Sequence, residues 1–131
     1  MYLKGQDENG SNWQVGVQNP LDHDQDLLNL KISSAGSAVA TSGITKRKGR
    51  IGDYKWHHLI DPRTGLSADN NILAATVISD SVWLADVLAK TVLILGKEGI
   101  NFLSNFKSAE GLLINSRLEV FSSNGMKKYV I

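Results

Sequence analysis

Cysteine is absent from the 131 residues of this chain. Its absence excludes a disulfide scaffold, a thiol nucleophile and any site in which cysteine binds zinc or an iron–sulfur cluster. An excess of charge of one sign is also missing, because 14 basic and 13 acidic residues leave a formal net charge of +1. A protein that binds nucleic acid through bulk charge would show a larger basic excess, so we expect no nucleic-acid partner.

Long apolar runs are missing as well. No stretch reaches the ~18 apolar residues expected of a membrane-spanning helix. The first ten residues include Lys4, Asp7 and Glu8 and lack the apolar core of a signal peptide, so we expect no export signal in the chain as it stands. The composition, 42% hydrophobic and 21% charged, is that of a globular protein, and the length predicts a single domain over residues 1–131.

The pattern of apolar residues predicts about seven strands and two helices. Alternating apolar and polar residues favour strands at 13–17 and 27–32, and further strands are expected at positions that include 72–78 and 126–131. A nearly all-apolar helix is expected from about Ser81 to Leu95, ended by Gly96, and a shorter one from Lys97 to Phe106. Helices between runs of hairpins predict an α+β fold with a mostly antiparallel sheet.

Turn signals separate these elements. We expect the basic run Lys46–Arg50 to lie at the exposed tip of a hairpin whose arms are residues 36–43 and 54–60. Such a run could contact phosphate, although a solvated tip is the simpler interpretation. The sequence Asp-Pro-Arg-Thr-Gly at 61–65 predicts a tight turn, and Asn-Gly at 124–125 predicts a type I′ hairpin turn before the last strand.

Three places carry residues that could perform chemistry. His57 and His58 end a strand and point to opposite sides, so one of them could face a cleft as a base or a metal ligand, although a structural role is commoner. Asp86 and Lys90 are four residues apart and share one helix face. They could form a surface ion pair, or Asp86 could be a functional carboxylate. The small residues 40–43 favour either a tightly packed strand or a cradle for an oxyanion or phosphate.

The order of these places resembles one protein family. Ala-Thr-Ser-Gly at 40–43 precedes His-Leu-Ile-Asp-Pro-Arg-Thr-Gly at 58–65, and Leu-Ala-Asp and Leu-Gly follow within residues 84–96. From about Trp13 to its end, the sequence resembles the C-terminal half of ApbE-type FAD:protein FMN transferases. The resemblance implies an enzyme that uses FAD and magnesium. Such enzymes transfer FMN from FAD to a threonine or serine hydroxyl of a target flavoprotein subunit, and AMP is released.

The same resemblance implies roles for individual residues. His58 is the expected general base, and Asp86 is the expected magnesium ligand. The residues expected beside the flavin or its phosphates belong to two segments, and they are Thr41, Ser42, Gly43, Arg63 and Thr64. For Arg63, contact with phosphate and a purely structural role in the turn are both open.

Two departures from the family pattern qualify this interpretation. The family usually has a threonine or serine four residues after the helix aspartate, where its hydroxyl joins the metal ligands. Here that residue is Lys90, whose ammonium has only hydrogen-bond donors, so we expect weak metal binding if it pairs with Asp86. Family members are also longer, by about a factor of two, so the chain resembles a C-terminal fragment that could need an N-terminal half or a partner chain.

Two further classes of function remain open from the sequence. The first alternative is a module that binds FAD without transferring FMN, or an FAD pyrophosphate hydrolase in which water is the acceptor. The second is a domain that binds no ligand and only associates with a partner. For the parent protein, the family resemblance implies a location at the bacterial cell envelope or in the periplasm.

Overall fold

The computed structural model describes all of residues 1–131 and contains eleven strands, two α-helices and two 3-10 helices. The strands are β1 (Tyr2–Leu3), β2 (Gln14–Gln18), β3 (Asp26–Lys31), β4 (Ser37–Gly43), β5 (Lys48–Ile51), β6 (Tyr54–His57), β7 (Ile60–Asp61), β8 (Leu66–Ser67), β9 (Ile72–Ser79), β10 (Glu110–Asn115) and β11 (Val120–Ser122). The helices are α1 (Val82–Leu95) and α2 (Lys97–Phe102), with 3-10 helices at Leu103–Asn105 and Asn124–Lys128. Neither α-helix has the length and hydrophobicity that a membrane span requires.

The central element is a five-stranded sheet in the order β1-β4-β9-β10-β11. Every neighbouring pair in this sheet is antiparallel. Three separate two-stranded ribbons, β2–β3, β5–β6 and β7–β8, complete the strands. The structure therefore confirms the predicted α+β fold with a mostly antiparallel sheet and two helices.

Strand β9 is buried on both sides, because two different layers cover the sheet. Ala75 and Val77 belong to a core shared with α1, whereas Ala74 and Ile78 belong to a second core shared with the β2–β3 ribbon. Successive side chains of a strand point to opposite faces. The nearly continuous apolar sequence of β9 is thus what a strand between two layers requires.

Helix α1 lies against β4 and β9 through small side chains. Ala85 and Ala89 on the helix are completely buried, Ala75 belongs to the same core, and the partly buried Ala40 packs against it. Small residues on both surfaces allow the helix and the sheet to approach closely. Gly96 has a positive φ of 66° and ends the helix where the sequence predicted, as expected for a glycine at this position.

The predicted hairpin between residues 36–43 and 54–60 is wrong. Strand β4 pairs with β1 and β9, and β6 pairs with β5 instead. Most of the basic run therefore lies in a strand, and the turn contains only Gly52 and Asp53. The small apolar residues of β4 are suited to the centre of the sheet, where neighbours on both sides and α1 bury them.

Two predictions near the C-terminus are also corrected. The helix after Gly96 ends at Phe102 and continues only as a 3-10 turn. Residues 126–131 do not form the predicted strand, because Asn124–Lys128 is a 3-10 helix. This helix places the completely buried side chain of Met126 in the second core. Burial of this methionine favours the 3-10 helix over the hairpin that Asn-Gly predicted.

Candidate functional site

The two adjacent histidines have different surroundings. His57 is half-buried, with Nε2 2.8 Å from the carbonyl oxygen of Ala68 and Nδ1 3.3 Å from the backbone nitrogen of Leu59. These contacts match a neutral ring that donates from Nε2 and accepts at Nδ1. His58 is exposed, and its Nδ1 lies 3.4 Å from the carbonyl oxygen of Arg47. A hydrogen on Nδ1 of His58 leaves Nε2 with a lone pair that can accept a proton.

We expect His57→Ala to lower the free energy of unfolding by about 1–3 kcal/mol, because two partly buried backbone groups lose their partner. Urea unfolding of this variant and of His58→Ala measures the difference. Replacement of the exposed His58 by alanine should change the free energy of unfolding by no more than about 0.5 kcal/mol. Equal losses in the two variants would contradict the assignment of His57 as the structural histidine.

The turn after β7 is built around Asp61, which is only 7% exposed. Its carboxylate accepts hydrogen bonds from the backbone nitrogen of Arg63 at 2.9 Å and from the guanidinium at 2.7 to 3.2 Å. Its carbonyl oxygen accepts from the backbone nitrogens of Thr64 and Gly65. The hydrogen bonds from Arg63 lower the pKa of Asp61, and the same pair raises the pKa of Arg63. Arg63 therefore shapes the turn, and its contact with a cofactor stays a prediction.

The pH dependence of stability should reveal this pair. A carboxyl whose pKa is lowered on folding stabilises the protein above its unfolded pKa, near 3.8 for Asp61, and this contribution is lost as the pH falls through the folded pKa. We therefore expect Arg63→Gln to be less stable than the parent at about pH 6, with the difference shrinking at about pH 2. Chemical unfolding at several pH values tests this, and a difference independent of pH would contradict it.

Strand β4 presents its candidate residues to two faces of the sheet. The hydroxyl of Thr41 lies 2.8 Å from that of Thr76 on β9. Thr41 and Gly43 line a cleft of about 330 Å³ on the face that the β2–β3 ribbon covers. The side chain of Ser42 is buried on the opposite face, where α1 packs. The structure thus brings Thr41 and Gly43 together and separates the side chain of Ser42 from them.

The cleft also contains residues that were not among the predicted site residues. Gln18 and Lys46 line it, and the ammonium of Lys46 donates a hydrogen bond of 2.9 Å to the side-chain oxygen of Gln18. The only signal for Lys46 in the sequence is its place in the basic run, which we interpreted as a solvated tip. The next residue, Arg47, contacts His58. The loop after β4 therefore connects the cleft to the candidate base.

Asp86 and Lys90 form the ion pair that their spacing on α1 predicts. The ammonium donates a hydrogen bond to one carboxylate oxygen, and both side chains are about half exposed, at 54% for Asp86 and 45% for Lys90. They lie beside Ala85 and Ala89, which face the core, so the pair sits at the edge of the buried helix face. An exposed pair of this kind adds little to stability.

The residues around Asp86 do not fit a magnesium ion. Magnesium takes six oxygen ligands, usually one or two protein carboxylates together with waters and substrate phosphates, so a carboxylate that is free of a cationic partner is the minimum requirement. Asp86 supplies one carboxylate, its neighbour one turn along the helix is a cation, and no group of three or more His, Cys, Asp or Glu residues that could hold a metal exists anywhere in the structure. Weak metal binding by this chain therefore stays a prediction, and it rests on the ion pair between Lys90 and Asp86.

The segment that carries His58 and Arg63 is attached to α1. Leu59 joins the core beneath the helix, and the side-chain amide of Asn70 donates to the carbonyl oxygens of Leu93 and Ile94 at 2.7 and 2.9 Å. Asp86 lies seven residues before Leu93, which is about 10 Å along the helix axis. The helix thus links the candidate carboxylate to the segment that holds the candidate base.

Comparison with known proteins places this arrangement in a family. The chain is 29% identical over 127 residues to the FAD:protein FMN transferase of Vibrio cholerae, covering 97% of this chain and 36% of that protein. It is 30% identical over 115 residues to the enzyme of the same name from Treponema pallidum, covering 87% of this chain and 32% of that one. The chain therefore spans about a third of these curated relatives, so they exceed it by more than the factor of two that we expected.

Solved structures show the same fold. The ApbE protein of Thermotoga maritima superimposes with a TM-score of 0.81 at 22% identity, covering 95% of this chain and 40% of that structure. The flavin transferase ApbE of Vibrio cholerae superimposes with a TM-score of 0.75 at 24% identity, covering 97% and 40% respectively. At the level of sequence, the model of the ApbE family matches residues 1–113. This chain therefore belongs to the ApbE family.

Proposed function

We propose that the chain acts as the C-terminal part of an FAD:protein FMN transferase. In this reaction the hydroxyl oxygen of a threonine or serine on a target flavoprotein subunit attacks the phosphorus of the FMN half of FAD. A new phosphate ester bond forms, the pyrophosphate bond breaks, and AMP leaves. The observation that carries the proposal is the position of His58, exposed and in contact with the loop that lines the cleft.

Within this proposal His58 removes the proton of the acceptor hydroxyl. The carbonyl oxygen of Arg47 holds Nδ1, so that Nε2 is the atom that takes the proton. Lys46 supplies a positive charge in the cleft, which favours binding of the negatively charged pyrophosphate. The backbone of Gly43 and the hydroxyl of Thr41 form the adjacent wall. No step is assigned to magnesium, because these residues do not fit it.

The exposure of His58 also supports a second candidate function. Water reaches an exposed base as readily as a protein hydroxyl does, so the same geometry would hydrolyse FAD to FMN and AMP. The acceptor protein and the location at the bacterial cell envelope belong to the first proposal and rest on the family resemblance.

A titration with FAD tests both candidates. The chain is titrated with FAD while flavin fluorescence is followed, with and without magnesium, and AMP and FMN are then separated by chromatography. A serine-containing peptide is included as an acceptor and examined by mass spectrometry. AMP with peptide-bound FMN supports transfer, and AMP with free FMN supports hydrolysis. Binding without AMP release would indicate a binding module, and absence of binding by the folded chain would overturn both catalytic proposals for this chain.

A further inference from the structure

The β5–β6 ribbon has one apolar and one basic face. In its register, Gly49 lies opposite Trp56 and Ile51 opposite Tyr54, whereas Lys48 lies opposite His57 and Arg50 opposite Lys55. Because side chains alternate along a strand, the first two pairs share one face and the last two share the other. The ribbon is therefore amphipathic across its thickness.

The apolar face is open to solvent. Ile51 is 73% exposed, Tyr54 44% and Trp56 39%. The indole of Trp56 lies directly on Gly49, where a Cβ atom would come within 2.7 Å of the ring. The glycine opposite the tryptophan therefore leaves room for the ring over β5, and the ring stays partly exposed to solvent.

The basic face concentrates the positive charge of the chain. Residues 48–57, which form the ribbon and its turn, contain three basic residues and one acidic residue, a net charge of +2 in a chain whose total is +1. The acidic residue, Asp53, is paired with Arg50 at 3.0 Å in an exposed contact. The remainder of the chain is therefore net negative, and the ribbon is the place where an acidic partner would bind.

One edge of the ribbon is unpaired. Strand β5 pairs only with β6. The other side of the ribbon is occupied, since the side chain of Ser67 bonds to the backbone of His57 and its own backbone nitrogen contacts the hydroxyl of Tyr54. The backbone groups on the outer edge of β5 are therefore free to pair with an added strand.

We propose that this edge of β5 binds an extended segment of a partner protein in which acidic and apolar residues alternate. Added as a third strand, such a segment would place its acidic side chains beside Lys48 and Arg50 and its apolar side chains beside Ile51 and Trp56. Charge alone would protect an edge strand from aggregation, but it would not require an exposed apolar face. The identity of this partner rests on the proposed function. It is the protein that accepts FMN, because β6 leads directly into His58.

A binding experiment with defined peptides tests this inference. The probe is a short peptide of alternating glutamate and valine, and the comparison peptide has the same composition arranged as one glutamate block and one valine block. Binding to the isotopically labelled chain is followed by NMR in the absence of FAD. We expect the alternating peptide to bind at least about tenfold more tightly and to shift the amides of β5.

Matched variants separate the two faces. Lys48→Glu with Arg50→Glu should weaken binding at least about tenfold, whereas Lys107→Glu with Lys127→Glu, which makes the same change in charge elsewhere, should not. Ile51→Ser should weaken binding several-fold, in contrast to Leu21→Ser at another exposed apolar position. Amide spectra establish that each variant is folded.

Other outcomes overturn the inference. Equal binding of the two peptides would show that only charge is recognised, and binding to anionic lipid vesicles but not to the peptide would assign the ribbon to a membrane surface. Because FAD is absent from these measurements, failure of peptide binding leaves the flavin titration unaffected. Failure of FAD turnover with intact peptide binding would instead remove the proposed function and retain the docking surface.

Discussion

Replacement of His58 by alanine is expected to lower the rate of AMP release from FAD by about 10²–10⁴-fold, the contribution typical of a general base. FAD binding should change little, because the side chain of His58 does not line the cleft. Stability should be retained, since the side chain is exposed and its ring makes a single long contact with Arg47. Single-turnover release of AMP, with FAD affinity measured separately, gives both quantities.

Two controls distinguish a base from a residue that only positions the loop. His58→Gln keeps an amide that can donate to the carbonyl oxygen of Arg47 but cannot take up the proton. It should therefore lose as much activity as alanine. Added imidazole should restore part of the activity of His58→Ala. Full activity in the glutamine variant, or an unchanged rate in the alanine variant, would remove His58 from the reaction.

Replacement of Lys90 by threonine is expected to raise the affinity for a divalent cation by about tenfold. The ammonium of Lys90 now occupies one carboxylate oxygen of Asp86 and repels a cation. Threonine removes the charge and supplies a hydroxyl oxygen one helical turn from the carboxylate. Manganese, followed by its broadening of NMR signals near Asp86, is a suitable probe for magnesium and needs no catalytic activity.

Further variants separate the loss of charge from the gain of a ligand. Lys90→Leu removes the ammonium without adding an oxygen, so its affinity should lie between those of the parent and Lys90→Thr. Asp86→Ala combined with Lys90→Thr should abolish the gain. Loss of the exposed ion pair should cost only about 0.3–0.5 kcal/mol of helix stability, so all variants should remain folded. Equal cation affinity in the parent and Lys90→Thr would show that the ammonium does not oppose metal binding.

Local patterns predicted those parts of the site that depend on neighbours in sequence. The spacing of Asp86 and Lys90 predicted a shared helix face, and the structure contains their ion pair. The order of aspartate, proline and glycine at 61–65 predicted a turn, which the backbone of Asp61 closes. The apolar pattern before Gly96 predicted α1 to within one residue. The ion pair and the turn depend on contacts within one helical turn or one tight turn, and the apolar pattern of α1 repeats over the same distance.

The sequence by itself determined the α+β class, the long apolar helix, the turn around Asp61 and the resemblance to one family. Only the tertiary structure decided that β4 pairs with β9, that Thr41 reaches the cleft while the side chain of Ser42 lies beneath α1, and which histidine is exposed. It also decided that Met126 is buried by a 3-10 helix rather than by a strand. These features depend on contacts between residues far apart in the chain, and a local pattern of apolar and polar residues does not specify which distant surface each one meets.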